Sequence, residues 1–180
     1  MLATGSPGVG KTTVLLKTAD MLKAEGFTVG GMLSREVRVS GTRVGFEVMD
    51  LHTRKTCWLA HTNQKYGPQV GKYHVNFAGL NGVGTEAVKK ANKEFDIATV
   101  DEVGPMELFS EKFRHIVEDA VDGRKPVIAT IHWRTEDQLV KKIKTRQDAE
   151  IFVVTWENRD SLLPAIANKA VEYIAATRLE

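Results

Sequence analysis

The first part of the chain contains a glycine-rich segment whose residue types and spacing suit the binding of phosphate. Residues 5–13 read GSPGVGKTT and match the pattern G-x-x-x-x-G-K-[ST] at every fixed position. Glycines at this spacing allow a tight turn in which several backbone N–H groups point inward at an anion. The residues that we expect to contact a triphosphate are Gly5, Ser6, Pro7, Gly8, Val9, Gly10, Lys11, Thr12 and Thr13.

Two side chains of this segment supply specific chemistry. Lys11 adds a positive charge that can reach the β- and γ-phosphates, and the hydroxyl of Thr12 can ligate Mg²⁺. Apolar residues at helical spacing follow from Val14 to Leu22, so we expect a helix to begin at the segment and to point its N-terminus at the anion. Mg²⁺ is therefore the expected cofactor and a triphosphate the expected ligand.

A second cluster decides what happens to the phosphate. Residues 97–100 read as a buried strand, and Asp101 and Glu102 follow directly. Ligands of parallel sheets lie at the carboxyl ends of the strands, so Asp101 is predicted to hold Mg²⁺ together with Thr12. Glu102 is predicted to orient and deprotonate an attacking water. Adjacent carboxylates favour hydrolysis over transfer, although some phosphotransferases also place a carboxylate there.

Composition limits the class of protein. The 180 residues suit one domain spanning residues 1–180, and a hydrophobic content of 42% suffices for a core. A net charge of +2 gives no strong signal for nucleic-acid binding, and a single cysteine, Cys57, excludes an intrachain disulfide. We see no secretory signal and no apolar run near the roughly 18 residues of a membrane span. We expect a cytoplasmic protein without a membrane partner, and the sequence is compatible with a monomer.

The order of predicted elements indicates an α/β fold. Residues 1–4, 97–100, 127–131 and 151–155 read as strands that are buried on both faces, as in a covered parallel sheet. Helical patterns alternate with them, and one of these begins at a sequence resembling a capping box, from Thr135 to Gln138. These features predict a mostly parallel sheet flanked by helices.

The segment from about residue 28 to residue 80 has a different pattern and is predicted to be a small antiparallel β insertion. Apolar and polar residues alternate before and after Ser40 and Gly41, which is typical of a hairpin. Residues 56–60 and 73–77 are predicted to add further strands. A helix is expected to start near Thr85.

Several segments together resemble the thermophilic nucleoside-triphosphatase family, whose animal member is called cancer-related nucleoside-triphosphatase. They are GSPGVGKTT, GFEV at 45–48, GKYHV at 71–75, VDEVGPMELFS at 100–110 and VTWENRD at 154–160. The resemblance implies a P-loop NTPase with a RecA-like or AAA-like core and slow, Mg²⁺-dependent hydrolysis of ATP, GTP and other NTPs. It also implies a second nucleotide-binding segment, formed by Thr99, Val100, Asp101, Glu102, Val103, Gly104, Pro105 and Met106. Gly104 in this segment would let the backbone approach the nucleotide closely.

Two residues after the last predicted strand are candidates for contact with the nucleoside. In the segment Asn158-Arg159-Asp160, Asn158 or its neighbours are predicted to touch the base or ribose, with capping of the last helix by Asn158 or Asp160 as the alternative. Trp156 has the chemistry to stack on a base, but packing beneath its own loop is the preferred interpretation.

The residues with weaker claims are charged or polar. Arg134 and Arg146 are candidates for stabilising charge on the γ-phosphate, and one of Thr130 and His132 is expected to face the site. Lys72 and Tyr73 are candidates whose place in the site the sequence leaves open, and the histidines give no zinc signal.

The sequence therefore predicts hydrolysis of nucleoside triphosphates to nucleoside diphosphates and phosphate, with Glu102 and Lys11 as catalytic residues. Two alternatives stay open. One is a phosphotransferase acting on a small molecule or a nucleic-acid end, and the other is a switch whose partner responds to the bound nucleotide.

Overall fold

A computed structural model describes residues 1–177, in which one mixed sheet runs through the molecule. The strands are β1 (Leu2–Gly5), β2 (Val29–Val39), β3 (Thr42–Asp50), β4 (Thr56–His61), β5 (Gln69–Val70), β6 (Tyr73–Val75), β7 (Ile97–Val103), β8 (Val127–His132) and β9 (Ile151–Val153). The α-helices are α1 (Lys11–Ala24), α2 (Phe77–Gly79), α3 (Glu86–Glu94), α4 (Glu111–Asp122), α5 (Gln138–Lys144) and α6 (Leu162–Thr177). A π-helical segment, Leu80–Thr85, joins α2 to α3, and a 3₁₀ turn, Glu107–Phe109, precedes α4.

The order of the strands is β5-β6-β4-β3-β2-β7-β8-β1-β9. All pairs from β2 to β9 in this order are parallel, and all pairs from β5 to β2 are antiparallel. This arrangement confirms the predicted α/β fold with a mostly parallel sheet and an antiparallel elaboration. The carboxyl ends of the parallel strands meet at one edge of the sheet, where ligands bind in such folds.

Alternate side chains of the parallel strands point to opposite faces of the sheet, and those on both faces are mostly apolar. Helices therefore cover both faces. On one face, Ala98 and Val100 pack in a core with α3, α4 and α5. On the other face, Ala3 and Ile128 pack in a second core with α1 and α6. The apolar residues of α1 predicted from helical spacing, including Leu15 and Leu22, are buried in this second core.

The antiparallel part, which we call the antiparallel extension, consists of the distal half of β2 with β3, β4, β5 and β6. The turn between β2 and β3 lies at Ser40 and Gly41, as predicted, and both have positive φ, at 48° and 79°. Such a turn matches the twist of an antiparallel hairpin.

The structure differs from the predicted elements in two strands. Val29 to Met32 pair in parallel with β7, so the first residues of the predicted insertion form a fifth parallel strand. The sequence did not predict this strand because Gly30 and Gly31 interrupt its apolar pattern. In β9, Phe152 packs against the core with α6, but Ile151 and Val153 are exposed. The prediction of burial on both faces was wrong for β9 because it lies at the edge of the sheet and one of its faces is uncovered.

Two predicted boundaries also moved. Phe77 begins α2 instead of ending a strand, because Asn76 caps this turn by accepting a hydrogen bond from the backbone N–H of Gly79. The N-cap of α5 is Asp137, whose carboxylate accepts from the backbone N–H of Leu139, and not Thr135. Within the described residues no helix has the length and apolar character needed to cross a membrane.

Candidate nucleotide-binding site

The glycine-rich segment forms the loop between β1 and α1. Helix α1 begins at Lys11, directly after Gly10, which has a φ of 105°. Lys11 is 8% exposed, and its Nζ donates hydrogen bonds to the backbone carbonyls of Gly5, at 3.1 Å, and Ser6, at 3.4 Å. The loop and the helix N-terminus therefore surround a buried positive charge, which is an arrangement suited to an anion.

The structure brings Asp101 to this loop across the intervening strand β8. The Thr12 hydroxyl donates to Asp101 Oδ2 at 2.9 Å, and the Thr130 hydroxyl donates to Oδ1 at 2.5 Å. Asp101 is 1% exposed, and burial raises its pKa to about 6 although both hydroxyls favour the charged form. The carboxylate and the Thr12 hydroxyl are hard oxygen donors of the kind that Mg²⁺ prefers, so these residues fit that ion.

Two further acidic residues, Glu102 and Glu107, lie close enough to Asp101 for the charges to interact. The peptide bond between Asp101 and Glu102 is cis, and the pairing of β7 with β8 shifts register between Val100 and Val103. Burial raises the pKa of Glu102, while the charge of Lys11 lowers it. Glu107 is 5% exposed, and burial, followed by the charge of Glu102, raises its pKa to about 8. Glu107 lies in the VDEVGPMELFS segment, but its spacing alone gave no reason to assign it to the site.

Gly104 separates these two carboxylates. A Cβ on Gly104 would stand 2.8 Å from Glu102 Oε1 and 3.2 Å from Glu107 Oε2. The missing side chain therefore makes room for the two acidic groups. The prediction that Gly104 permits close approach of a nucleotide stays a prediction.

A cleft of about 580 Å³ opens between the loop and the antiparallel extension. Lys11, Thr12, Glu102, Glu107 and His132 line the side formed by the parallel strands. The opposite side is lined by Ser34, Arg35, Glu36, Arg43, Phe46, Leu59 and Val70. The sequence predicted the extension but not its contribution to the cleft, because β2 carries the extension to the ligand edge only in the folded sheet.

Arg43 is a cation of the extension that is held by several side chains. Its Nε donates to the Tyr73 hydroxyl at 2.9 Å, and its Nη1 donates to Glu36 Oε2 at 3.1 Å. The guanidinium lies over the Phe46 ring, 5.2 Å from its centroid. Tyr73 thus reaches the cleft through Arg43, whereas the ammonium of Lys72 lies over the Tyr73 ring, 5.6 Å from its centroid.

The structure separates the two arginine candidates and brings Thr130 and His132 together. Arg146 forms ion pairs with Asp122 and Asp148 near the start of β1, far from the loop, so its predicted role at the γ-phosphate was wrong. Arg134 follows β8 at the ligand edge and stacks on Trp133, 4.6 Å from the ring centroid. Both Thr130 and His132 face the site, one bonded to Asp101 and the other lining the cleft, so the prediction that only one does so was wrong.

The loop after β9 lies on the other side of the phosphate-binding loop. Asn158 shapes this loop, because its amide accepts from the backbone N–H of Thr155 at 2.8 Å and donates to the Val153 carbonyl at 2.9 Å. Its contact with a base or ribose stays a prediction. Trp156 is 63% exposed, so the preferred interpretation that it packs beneath the loop was wrong. Sequence reasoning identified Arg159 only as a neighbour of Asn158; its Nη1 lies 3.6 Å from where a Cβ on Gly10 would stand.

Comparisons with known proteins place the chain in a family. A family model described as NTPase matches residues 1–167. The chain is 44% identical over 175 residues to the nucleoside-triphosphatase THEP1 of Thermofilum pendens, covering 97% of this chain and 96% of that protein. It is 42% identical over 167 residues to the protein of the same name from Methanosarcina acetivorans, covering 92% and 93%.

Two solved structures share the fold over nearly the whole chain. The crystal structure of THEP1 from Aquifex aeolicus superposes with a TM-score of 0.83 at 33% identity, covering 92% of this chain and 95% of that one. The solution structure of a human cancer-related nucleoside triphosphatase gives a TM-score of 0.79 at 32% identity, covering 93% and 95%.

Proposed function

The chain belongs to the NTPase family, and on that premise we propose that it hydrolyses nucleoside triphosphates to nucleoside diphosphates and phosphate with the help of Mg²⁺. The observation that carries this proposal is the contact of Asp101 with Thr12, at 2.9 Å, with Glu102 as the next residue. This contact unites the phosphate-binding loop with the acidic end of β7, and both are needed to act on one phosphoryl group.

Binding of the triphosphate is assigned to the loop of residues 5–13 and to residues 99–106. The backbone N–H groups of the loop would hold the β-phosphate, and Lys11 would compensate charge on the β- and γ-phosphates. Thr12 and Asp101 would hold Mg²⁺, which when bound neutralises charge that develops on the phosphate oxygens. Thr130 keeps the Asp101 carboxylate in position through its hydrogen bond.

Hydrolysis requires a base that takes a proton from water as the water attacks the γ-phosphorus. Glu102 lies in the cleft beside the loop, and Lys11 favours its charged form. In the proposed reaction the Glu102 carboxylate takes the proton, the bond between the γ-phosphorus and the bridging oxygen breaks, and the diphosphate leaves. Tolerance of ATP, GTP and other NTPs follows because the contacts assigned here address the phosphates that all NTPs share.

The substitution Glu102→Gln tests the assignment of the base. The amide keeps the shape of the side chain but accepts no proton, so we expect the hydrolysis rate to fall by about 10²–10⁴ while affinity for NTP is kept. Release of phosphate from ATP and GTP would be measured with Mg²⁺ and again with EDTA, and affinity by calorimetry with a non-hydrolysable NTP. A hydrolysis rate in the variant equal to that of the wild type would show that Glu102 is not the base. Full activity in EDTA would show that the reaction does not need Mg²⁺.

One observation favours transfer to an acceptor as a second candidate function. The cleft beside Glu102 has a volume of about 580 Å³, and its far side is lined by Ser34, Arg35 and Glu36, whose polar groups could bind an acceptor. We therefore propose comparing the amounts of diphosphate and phosphate formed from labelled NTP in the presence of a metabolite extract. Equal amounts mean hydrolysis, and an excess of diphosphate over phosphate means transfer.

A further inference from the structure

The position of the acidic residues sets the direction in which a bound nucleotide must lie, given the proposed function. In the order β7-β8-β1-β9, the phosphate-binding loop follows β1, and Asp101 and Glu102 belong to β7 on one side of it. The loop after β9, residues 154–161, lies on the other side. A triphosphate whose γ-phosphate meets Asp101 and Glu102 therefore directs its nucleoside towards the loop after β9.

Two side chains of that loop stand beside the phosphate-binding loop. The guanidinium of Arg159 lies 4.7 Å from the ring centroid of Trp156 and covers one face of the indole. The same guanidinium lies 3.6 Å from the Cβ position of Gly10, the residue that precedes α1. Trp156 is 63% exposed, so its ring is available for a further contact. Within residues 1–177, no carboxylate pairs with Arg159 at salt-bridge distance.

The backbone beneath these side chains is held in one conformation by local hydrogen bonds. Thr155 and Asn158 bond each other twice, through the backbone N–H of each and the side-chain oxygen of the other. The backbone N–H of Arg159 also donates to the Thr155 carbonyl at 3.2 Å. A loop closed in this way presents Trp156 and Arg159 before a ligand arrives, which lowers the entropic cost of binding.

We propose that Trp156 and Arg159 form the nucleoside-binding platform of this site, with the indole stacked on the base and the guanidinium bonded to the α-phosphate. The proposal rests on the proposed function, because it needs a nucleotide in the phosphate-binding loop. Stacking uses the π-face that every base has and reads none of its edge groups. A platform of this kind recognises purine and pyrimidine nucleotides as one class and prefers the larger rings by contact area.

The substitution Trp156→Ala tests the platform through the Michaelis constant. Loss of one stacking contact weakens nucleotide binding roughly tenfold, so we expect KM for ATP and GTP to rise by about that factor while kcat stays within about twofold. Trp156→Phe keeps an aromatic face and restores most of the affinity. An unchanged KM in Trp156→Ala would overturn the proposal.

Inorganic tripolyphosphate separates loss of stacking from damage to the phosphate-binding loop. It carries the charges of an NTP but has no base, so its inhibition constant should be the same for the wild type and for Trp156→Ala. If Trp156→Ala weakened the binding of tripolyphosphate and of ATP by the same factor, the substitution would act on the phosphate-binding loop, and the proposed platform would be wrong.

Trp133→Ala is the matched control, because Trp133 is also exposed and also stacked with an arginine, but follows β8. Its KM for ATP should equal that of the wild type, and an equal rise in both variants would count against a specific site. Dissociation constants for ADP and GDP, measured by calorimetry, test the platform without turnover. If the wild type bound these nucleotides but hydrolysed no NTP, the proposed function would be refuted. The dissociation constants of the wild type and Trp156→Ala would still test whether Trp156 contacts the nucleoside.

Discussion

At the scale of single residues, the main feature is the number of carboxylates that share one buried region. Asp101 and Glu107 are 1% and 5% exposed, and Glu102, whose charge adds to burial in raising the pKa of both, lines the cleft. Burial raises the pKa of all three, and mutual repulsion adds to the effect at Glu107. Keeping these carboxyl groups buried therefore lowers the stability of the folded protein at neutral pH.

The pH dependence of stability should reveal this cost at Glu107. The folded protein keeps its proton up to about pH 8, whereas the unfolded chain releases it near the ordinary pKa of 4.5. The free energy of unfolding therefore falls as pH rises from about 4.5 to about 8. Glu107→Gln removes this loss, so its stability gain over the wild type should grow from pH 5 to pH 8 and reach on the order of 4 kcal/mol.

Urea unfolding at pH 5 and pH 8 measures this difference, with Glu25→Gln on the surface as the control. We expect the control to change little at either pH. A constant difference between Glu107→Gln and the wild type across this range would mean that Glu107 is charged in the folded protein.

At the scale of elements, β2 connects the two halves of the sheet and positions one side of the cleft. Its residues from Val29 to Met32 pair in parallel with β7, and those from Met32 to Val39 pair antiparallel with β3. The close pairing depends on Gly31, which has a φ of 125° and would place a Cβ 2.0 Å from the backbone oxygen of Thr99. A larger residue has to push β7 away, and β7 carries Asp101 and Glu102.

Gly31→Ala should therefore destabilise the protein by at least about 2 kcal/mol, through both the steric overlap and the positive φ. This corresponds to a fall in Tm of about 4–8 °C for a chain of this size. Gly82→Ala is the matched control, because a Cβ at Gly82 meets no atom within 4 Å. Calorimetry of both variants measures the effect, and equal Tm values would show that β2 and β7 separate without cost.

At the scale of the whole molecule, we propose that residues 1–180 form a single domain. The sheet continues without interruption from the antiparallel extension into the parallel part, because β2 belongs to both. The π-helical segment also buries Leu80 and Val83 in the same core as Val48 of the extension and Val88 of α3.

One cooperative unfolding transition should follow from this continuity. A variant in which Trp133 and Trp156 are replaced by Phe leaves Trp58, on β4, as a fluorescent reporter of the extension. Its midpoint in urea should coincide with the midpoint of the helical circular dichroism, which reports the parallel part. A lower urea midpoint for Trp58 fluorescence would show that the extension unfolds separately and that the chain has two units.

The degree to which the sequence predicted the site depended on how local each signal was. Lys11, Thr12, Asp101 and Glu102 were predicted because their chemistry depends on spacing within a few residues. Arg43 was missed because its partner Tyr73 lies 30 residues away, and Glu107 was missed because its burial is a property of the fold. Arg146 was assigned incorrectly for the same reason, because its partners and its end of the sheet are properties of the fold.

The sequence by itself determined the fold class, the phosphate-binding loop and the acidic strand end, because hydrophobic periodicity and backbone requirements act between neighbouring residues. Only the tertiary structure decided that β2 is a fifth parallel strand, that the extension lines the cleft and that Arg159 stands over the loop. These facts depend on strand order and burial, which are fixed when distant segments pack together, and no local pattern encodes them.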